Sequence, residues 1–276
     1  MLVVREYTKV NQLYRWRLIF IVDRILFRFF ILWYSCGVLL VGFNLLPSWL
    51  EWANAVFLIA AGVLGGFYFY HEYKIFGLLF SFFVFFSTIL VEYLGVQYGL
   101  FFGHYFYNPD FGLYIADIPL TIGTAWLMVI ATTHALVKPM ALVVKQPFFQ
   151  WIIYAIVGAL AAVIMDLILD PVAANVKQYW VWHGDGLYYG IPFSNFVGWF
   201  FIALTLHALL WLGVRYLKRT KSYHPYWHSR MVLLYILMIA MFSIIAFINN
   251  IFFAPLLTIV LMSALVWVYK RTRRSQ

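Results

Sequence analysis

Three carboxylic acids lie in stretches of the sequence that are otherwise almost uncharged. Asp166 and Asp170 stand four residues apart in the segment MDLILDP, and Glu92 lies in the apolar segment ILVEYLGV. On a helix, residues i and i+4 share one face, about 6 Å apart along the axis, so Asp166 and Asp170 should point into the same space. Burial penalises the charged form of a carboxyl group, and a second acid nearby adds to that penalty. These residues are therefore candidates for acids that keep a proton near neutral pH and can donate it.

The composition describes the surroundings of these acids. Of the 276 residues, 65% are hydrophobic and 11% are charged, whereas about a quarter of the residues in soluble proteins are charged. Apolar runs recur along the chain, each close to the roughly 20 residues that a helix needs to cross a bilayer. The sequence therefore predicts an all-α fold, a polytopic membrane helical bundle in contact with the lipid bilayer. The predicted spans are 25–46, 52–70, 75–94, 119–137, 148–170, 192–214, 231–248 and 251–268.

Basic residues are distributed unevenly between the predicted loops. With the N-terminus in the cytoplasm, seventeen of the nineteen Lys and Arg residues fall in cytoplasmic segments, and Lys177 alone falls in an external loop. Such an excess is typical of cytoplasmic loops, so we predict a multi-pass protein of the cell membrane with both termini cytoplasmic. The predicted division is a cytoplasmic N-terminal segment at 1–24, a single integral membrane domain at 25–268 and a basic cytoplasmic tail at 269–276. The net charge of +9 thus indicates topology, and nucleic acid is not a predicted partner.

Two stretches of the sequence are similar to each other, GLYIADIPLTIGTAW at 112–126 and GLYYGIPFSNFVGW at 186–199. Each contains Gly-Leu-Tyr, then Ile-Pro, and then a tryptophan seven residues after the proline. Glu92 precedes the first proline by 27 residues, and Asp166 precedes the second by 26. The match predicts a parallel repeat of two helical hairpins, which would bring these two acids to one cavity. The predicted hairpins are 75–137 and 148–214.

A proton donor in an apolar site suits electrophilic addition to an isoprenoid double bond, a reaction that needs no metal and uses a substrate that dissolves in the bilayer. Protonation of an isoprenoid double bond gives a tertiary carbocation, and each aromatic face stabilises a cation by roughly 0.5–2 kcal/mol. Asn195 stands one turn into the sixth span and is a candidate to hold the attacking water. No metal-ligand spacing of His or Cys occurs, so no metal site is predicted. The candidate substrate-binding residues are Tyr93, Tyr105, Tyr107, Trp126, Trp180, Trp182, Tyr188, Asn195 and Trp199.

Each candidate also has a structural interpretation. Tyrosine and tryptophan form interfacial belts in many membrane proteins, and Asn195 could form a hydrogen bond between helices. Pro171 is expected to end the fifth helix, which would leave Asp170 near the aqueous edge, either as a solvated cap or as the group that orients the water. Asp166 or Glu92 is then the predicted proton donor.

Four linked motifs carry a family resemblance: EYLGVQYGLFFGHYFY, IPLTIGTAW, MDLILDP followed by YWVW, and YYGIPFSNFVGW. Over about residues 90–200 the chain resembles the carotenoid 1,2-hydratases of the CruF type, which include bisanhydrobacterioruberin hydratase. The resemblance implies a membrane hydro-lyase of carotenoid biosynthesis that adds water across the terminal double bond of an acyclic carotenoid, without a cofactor. It places the family's acidic positions at Glu92, Asp166 and Asp170. The loop HYFYNPDFGLY departs from the more proline-rich loop of the family, so the chain length and end group of the carotenoid stay open.

Three other functions stay open. A proton-initiated isoprenoid cyclase would use the same acid but capture the cation with an internal double bond. An intramembrane prenyltransferase would use Asp166 and Asp170 as a D-x-x-x-D pair for magnesium and diphosphate, although Glu92 stands alone and the basic residues lie on the opposite membrane side. A transporter or assembly factor would bind a cation or a proton at the acids, although four of the spans offer almost no polar residues.

Overall fold

Most of the chain that the structure describes is helical. The computed structural model describes residues 2–43, 45–109, 112–184 and 186–274. Met1 and the last two residues of the predicted tail, 275–276, lie outside the described residues. Within the described part, eight helices are long and apolar enough to cross a membrane, which confirms the predicted polytopic bundle. They are α1 (Leu2–Gly42), α2 (Trp52–Tyr73), α3 (Ile75–Tyr98), α4 (Leu120–Leu142), α5 (Pro147–Asn175), α6 (Phe193–Tyr216), α7 (Pro225–Ile248) and α8 (Phe253–Arg274).

Two helix ends differ from the predicted spans in a way that affects buried charge. α2 continues to Tyr73 and α4 to Leu142, beyond the predicted ends at 70 and 137. The added turns contain Glu72 and Lys138, whose exposed fractions are 2% and 3% and which form an ion pair at 3.1 Å. Lys138 is therefore a buried residue rather than a cytoplasmic loop residue, and its charge does not report topology. α1 begins at Leu2, so the predicted N-terminal segment is helical and continuous with the first span.

α5 passes through Pro171 instead of ending there. A proline inside a helix has no N–H for the carbonyl four residues earlier, which here is the carbonyl of Leu167. The Tyr188 hydroxyl, from the loop after α5, donates to that carbonyl oxygen at 2.7 Å. α5 therefore continues to Asn175, and Asp170, which is 1% exposed, lies inside the helix rather than at an aqueous edge. The prediction that the proline ends the helix is wrong because a side chain replaces the missing donor.

α4 is the central helix of the bundle, and every residue from Trp126 to Ala141 is buried. α2, α3, α5 and α7 all pack against it, whereas α1 and α8 are the most exposed helices. A glycine permits the closest of these approaches, because a Cβ at Gly62 of α2 would lie 2.5 Å from the carbonyl oxygen of Thr124. Small residues commonly have this role where membrane helices pack closely. The core of the bundle thus lies around α4, the second helix of the first predicted hairpin.

The part of the chain that the structure describes also contains four short strands, which lie in the loops at one end of the bundle and were not predicted. They are β1 (Tyr105–Tyr107), β2 (Tyr114–Ile115), β3 (Ile118–Pro119) and β4 (Trp180–Trp182). β2 pairs with β3, and β1 pairs antiparallel with β4, with Tyr105 opposite Trp182 and Tyr107 opposite Trp180. Because side chains alternate along a strand, Tyr105 and Tyr107 are buried while Phe106 between them is exposed. The β1–β4 pair therefore holds four aromatic side chains from separate loops at the ends of α3 and α5.

The two predicted hairpins show matching features. Pro119 and Pro192 are the N-cap residues of α4 and α6, with φ angles of −63° and −62°. Trp126 and Trp199, each seven residues further along, stack with ring centroids 4.2 Å apart. The strand that follows α3 also pairs with the strand that follows α5. These features agree with the parallel repeat, which a superposition of the two hairpins would test.

Candidate active site

The three predicted acids lie around one cavity, next to the β1–β4 pair. Glu92 from α3 and both Asp166 and Asp170 from α5 line a space of about 80 Å³, which we call the acid cavity. Their exposed fractions are 6%, 1% and 1%. The volume corresponds to two or three water molecules at about 30 Å³ each. Among the described residues that line this space, no Lys or Arg balances the acids.

Glu92 accepts hydrogen bonds at both carboxylate oxygens. Tyr105 and Tyr107 of β1 donate to Oε2, the latter at 2.7 Å, and Trp126 Nε1 of α4 donates to Oε1 at 3.0 Å. Burial raises the pKa of both tyrosines well above the usual range, and the neighbouring Glu92 raises it further. These phenols therefore stay protonated and act as donors. Hydrogen bonds from such donors stabilise the charged form of the Glu92 carboxyl group.

The two aspartates of α5 differ in their hydrogen bonds. Asp170 Oδ1 accepts from Trp180 Nε1 at 2.7 Å and from Trp182 Nε1 at 3.3 Å. The Asn195 amide bridges the pair, donating to Asp170 Oδ2 at 2.7 Å and to Asp166 Oδ2 at 2.8 Å. Asp166 Oδ1 is buried and has no hydrogen-bond partner among the residues that the structure describes. Charge on that oxygen would lack a donor to stabilise it, so Asp166 is the acid best suited to keep a proton.

Aromatic rings form much of the remaining wall. The stacked rings of Trp126 and Trp199 lie on one side, and Tyr105 packs against Trp182 with ring centroids 4.8 Å apart. A cation close to a ring face is stabilised by the ring quadrupole. The indole N–H groups of Trp126 and Trp182 also point to the acids. The same side chains thus orient the carboxyl groups and surround the space where a positive charge would form.

Seven of the nine predicted substrate-binding residues line the acid cavity, and Tyr93 and Tyr188 do not. Tyr93 directly follows Glu92, so its side chain is turned about 100° around α3. The Tyr188 hydroxyl is bonded to the Leu167 carbonyl and completes α5 instead. For these two residues the structure shows no contact with the cavity, and their role in binding substrate stays a prediction. The seven that line it are Tyr105, Tyr107, Trp126, Trp180, Trp182, Asn195 and Trp199.

The structure adds residues that the sequence did not indicate. Leu58 of α2 and Phe242 of α7 line the cavity from outside the two hairpins. An apolar residue in an apolar span carries no signal that separates a cavity wall from ordinary packing. Phe102 and Tyr179, from the loops that follow α3 and α5, also line the cavity. Burial raises the pKa of Tyr179, whose hydroxyl is hydrogen-bonded to Asn54.

A group of potential metal ligands lies at the opposite end of the bundle. Asp23 Oδ1 is 3.3 Å from His71 Nε2, and one ligand atom from each of these residues and from His224 lies within 4.8 Å of the others. His224 Nδ1, however, accepts the Trp227 backbone N–H at 3.4 Å, which places the proton of the neutral ring on Nε2. Burial and the nearby His71 lower the pKa of His224 and favour that neutral ring. The geometry therefore fits a helix cap better than a metal site.

Most of the chain matches one protein family. A family model described as carotenoid biosynthesis protein matches residues 53–265, which is well over half of the sequence. The chain belongs to this family. Searches of curated proteins and of solved structures each gave no match. The matched residues include the three acids and both strands of the β1–β4 pair, whereas α1 precedes them. The protein therefore has a role in carotenoid biosynthesis, and its family implies an isoprenoid substrate.

Proposed function

We propose that the protein is a carotenoid hydratase, a hydro-lyase that adds water across the terminal double bond of an acyclic carotenoid. The observation that carries this proposal is the contrast between the three acids. Asp166 Oδ1 has no hydrogen-bond partner among the described residues, whereas Glu92 and Asp170 each accept three hydrogen bonds. One cavity thus combines a candidate proton donor with two acids whose carboxylate forms would be stabilised by hydrogen bonds, an arrangement suited to general acid catalysis. No cofactor is part of the proposal.

The first step is proton transfer from Asp166 Oδ1 to the terminal double bond. The π electrons form the new C–H bond, and the positive charge is left on the tertiary carbon. Glu92 and Asp170 oppose that charge electrostatically, and the faces of Trp126 and Trp199 contribute roughly 0.5–2 kcal/mol each. The stabilisation is greatest when the charge develops, so it favours the transition state over the neutral substrate.

The second step is capture of the cation by water. The water oxygen forms the new C–O bond, and Asp170 accepts the proton that the water loses. Asp170 then passes this proton to Asp166, which replaces the one that Asp166 gave to the alkene. The shared Asn195 amide holds the two aspartates beside each other. The alkene and one water thereby give a tertiary alcohol, and both carboxyl groups regain their starting state.

Mass spectrometry of the product tests this function directly. The purified protein, in phospholipid nanodiscs, would be incubated with lycopene in water enriched in ¹⁸O. We expect a product heavier by one water and carrying the label at a tertiary alcohol. A cyclic product of unchanged mass would support the cyclase and overturn hydration. The absence of any product would also overturn hydration.

We also propose an orientation for the protein in the cell membrane. Both termini are cytoplasmic, and the acid cavity lies toward the external side. The N-terminal segment 1–24 and the tail 269–276 then flank a single membrane domain at 25–268. The excess of Lys and Arg in the segments on one side supports this orientation.

Cysteine labelling tests the orientation. Leu187, in the loop before α6, and Lys221, between α6 and α7, are both exposed. Each would be changed to cysteine in a Cys36→Ala background and exposed to an impermeant maleimide in intact cells. We expect Leu187→Cys to react and Lys221→Cys to react only after lysis. The opposite pattern would show that the orientation is inverted.

A further inference from the structure

A second and larger cavity adjoins the acid cavity. Its volume is about 410 Å³, within the range of roughly 300–1,000 Å³ that is usual for sites of small organic ligands. α1, α2, α5 and α7 form its walls, and we call it the lateral groove. Its lining includes Phe29, Cys36, Gly37, Val41, Phe57 and Met241.

The lateral groove and the acid cavity have three side chains in common among the residues that the structure describes. Leu58, Tyr179 and Phe242 line both spaces, so each of these side chains has the groove on one side and the acids on the other. The groove is therefore next to the site where the double bond would be protonated. A molecule that reached from the groove to Asp166 would have to pass these three side chains.

The sizes of the two spaces indicate which part of a substrate each can hold. The acid cavity, at about 80 Å³, has room for the end of a chain only. The groove extends along α1 from Phe29 to Val41, about 18 Å at 1.5 Å per residue. That shape suits an extended chain, and the rings of Phe29 and Phe57 can pack against the faces of conjugated double bonds.

The α1 wall of the groove has open space at one position. A Cβ at Gly37 would meet no atom of the described residues within 4 Å, so a side chain there could extend into the groove without a clash with them. Cys36 beside it also lines the groove, and its side chain is exposed. α1 lies before the residues that match the family, which begin at 53. The groove thus has one wall that the family match does not cover.

We infer that the lateral groove binds the polyene chain of the substrate, with the chain end inserted past Leu58, Tyr179 and Phe242 into the acid cavity. The choice of an acyclic polyene as the occupant rests on the proposed function. The size of the side chain at residue 37 then limits which chains can bind, because this position faces the space where the chain would lie. A phospholipid acyl chain is the alternative occupant.

Protection of Cys36 tests the binding position without requiring turnover. Cys36 is the single cysteine of the chain, so alkylation by N-ethylmaleimide reports on the groove alone. Asp166→Asn protein in nanodiscs would be treated with and without lycopene. At lycopene ten times above Kd, alkylation should slow about tenfold, because only the unbound fraction reacts. An unchanged rate would overturn the inference and would indicate that the groove holds lipid.

A cysteine outside the groove is the matched control for protection. Leu39 lies on the same helix, is 57% exposed and does not line the groove. The variant Cys36→Ala/Leu39→Cys should therefore be alkylated at the same rate with and without lycopene. Equal slowing at residues 36 and 39 would indicate a general effect of carotenoid on the bilayer and would overturn the inference.

Substitution of Gly37 tests the groove during turnover. Gly37→Trp should lower conversion of lycopene at least about tenfold, the effect that a misfit in an apolar pocket typically has. Leu39→Trp, on the same helix, should leave conversion unchanged. Normal conversion by Gly37→Trp would overturn the inference. If Cys36 is protected but no water is added, the proposed function fails and the groove stands; if water is added without protection, the groove fails and the function stands.

Discussion

Two clusters of buried polar residues lie at opposite ends of the bundle and differ in how their charges are balanced. The ion-pair cluster consists of Glu72, Tyr73, His134 and Lys138, all at most 3% exposed. Lys138 Nζ donates to Glu72 Oε2 at 3.1 Å and to the Tyr73 hydroxyl at 2.9 Å, and that hydroxyl lies 2.9 Å from His134 Nε2. The second oxygen of Glu72 accepts the His224 backbone N–H at 2.8 Å.

The acid cluster of Glu92, Asp166 and Asp170 has no such cation among the described residues that line its cavity. Its hydrogen bonds come from neutral donors. Removing one partner of a buried ion pair destabilises the fold, because the other charge is left buried without a partner. Acids without a counter-charge are expensive within a membrane protein and usually mark function. We therefore expect substitutions in the acid cluster to reduce activity, and substitutions in the ion-pair cluster to reduce stability.

The largest effect is expected for Asp166→Asn. The amide keeps the shape of the side chain and its contact with Asn195 but has no carboxylic proton to donate. Loss of a general acid typically lowers the rate by about 100-fold to 10,000-fold. Conversion of lycopene should fall by such a factor, while the thermal unfolding midpoint stays near that of the unaltered protein. If Asp166→Asn remains active and Glu92→Gln does not, Glu92 is the proton donor.

The ion-pair cluster should show the opposite behaviour. Lys138→Met leaves the Glu72 carboxylate buried without its cation, which is expected to lower the free energy of unfolding by about 3–5 kcal/mol. The double variant Glu72→Gln/Lys138→Met removes both charges and should recover much of that loss. Activity per folded molecule should be unchanged in both, as measured by lycopene conversion normalised to folded protein. A double variant no more stable than Lys138→Met would contradict the role of the pair.

Within the acid cluster, Asp170→Asn should have a smaller effect than Asp166→Asn. Asp170→Asn removes one of the two acids proposed to oppose the charge but leaves the proton of Asp166, so protonation of the alkene should continue at a lower rate. The cation would then more often lose a proton than gain water, giving an isomer with a shifted double bond. Chromatography of the products should show a rising ratio of isomer to alcohol. An unchanged ratio with a large loss of rate would contradict the role of Asp170 in water capture and leave it a role in protonation alone.

The acids were predictable from the sequence because carboxylates are conspicuous in apolar runs. Their separate hydrogen-bond partners were not, since these come from loops that are distant in sequence. Trp182 reaches Asp170 only because β4 pairs with β1, and strands of three residues have no clear sequence pattern. Glu72 and Lys138 were missed because each lies near the end of a helix, beyond the end of the span predicted from the apolar run.

The smallest effect concerns Tyr188, which lies near the acid cluster but should behave like the ion-pair cluster. Its hydroxyl satisfies the Leu167 carbonyl that Pro171 leaves without a donor. Tyr188→Phe should lower the free energy of unfolding by about 1 kcal/mol, because the bond is only partly buried. Pro171→Ala restores a backbone N–H, so Tyr188→Phe should have little effect in that background. Thermal unfolding of the four proteins measures the coupling. Equal destabilisation in both backgrounds, or a loss of activity at unchanged stability, would place Tyr188 with the residues that contact the substrate.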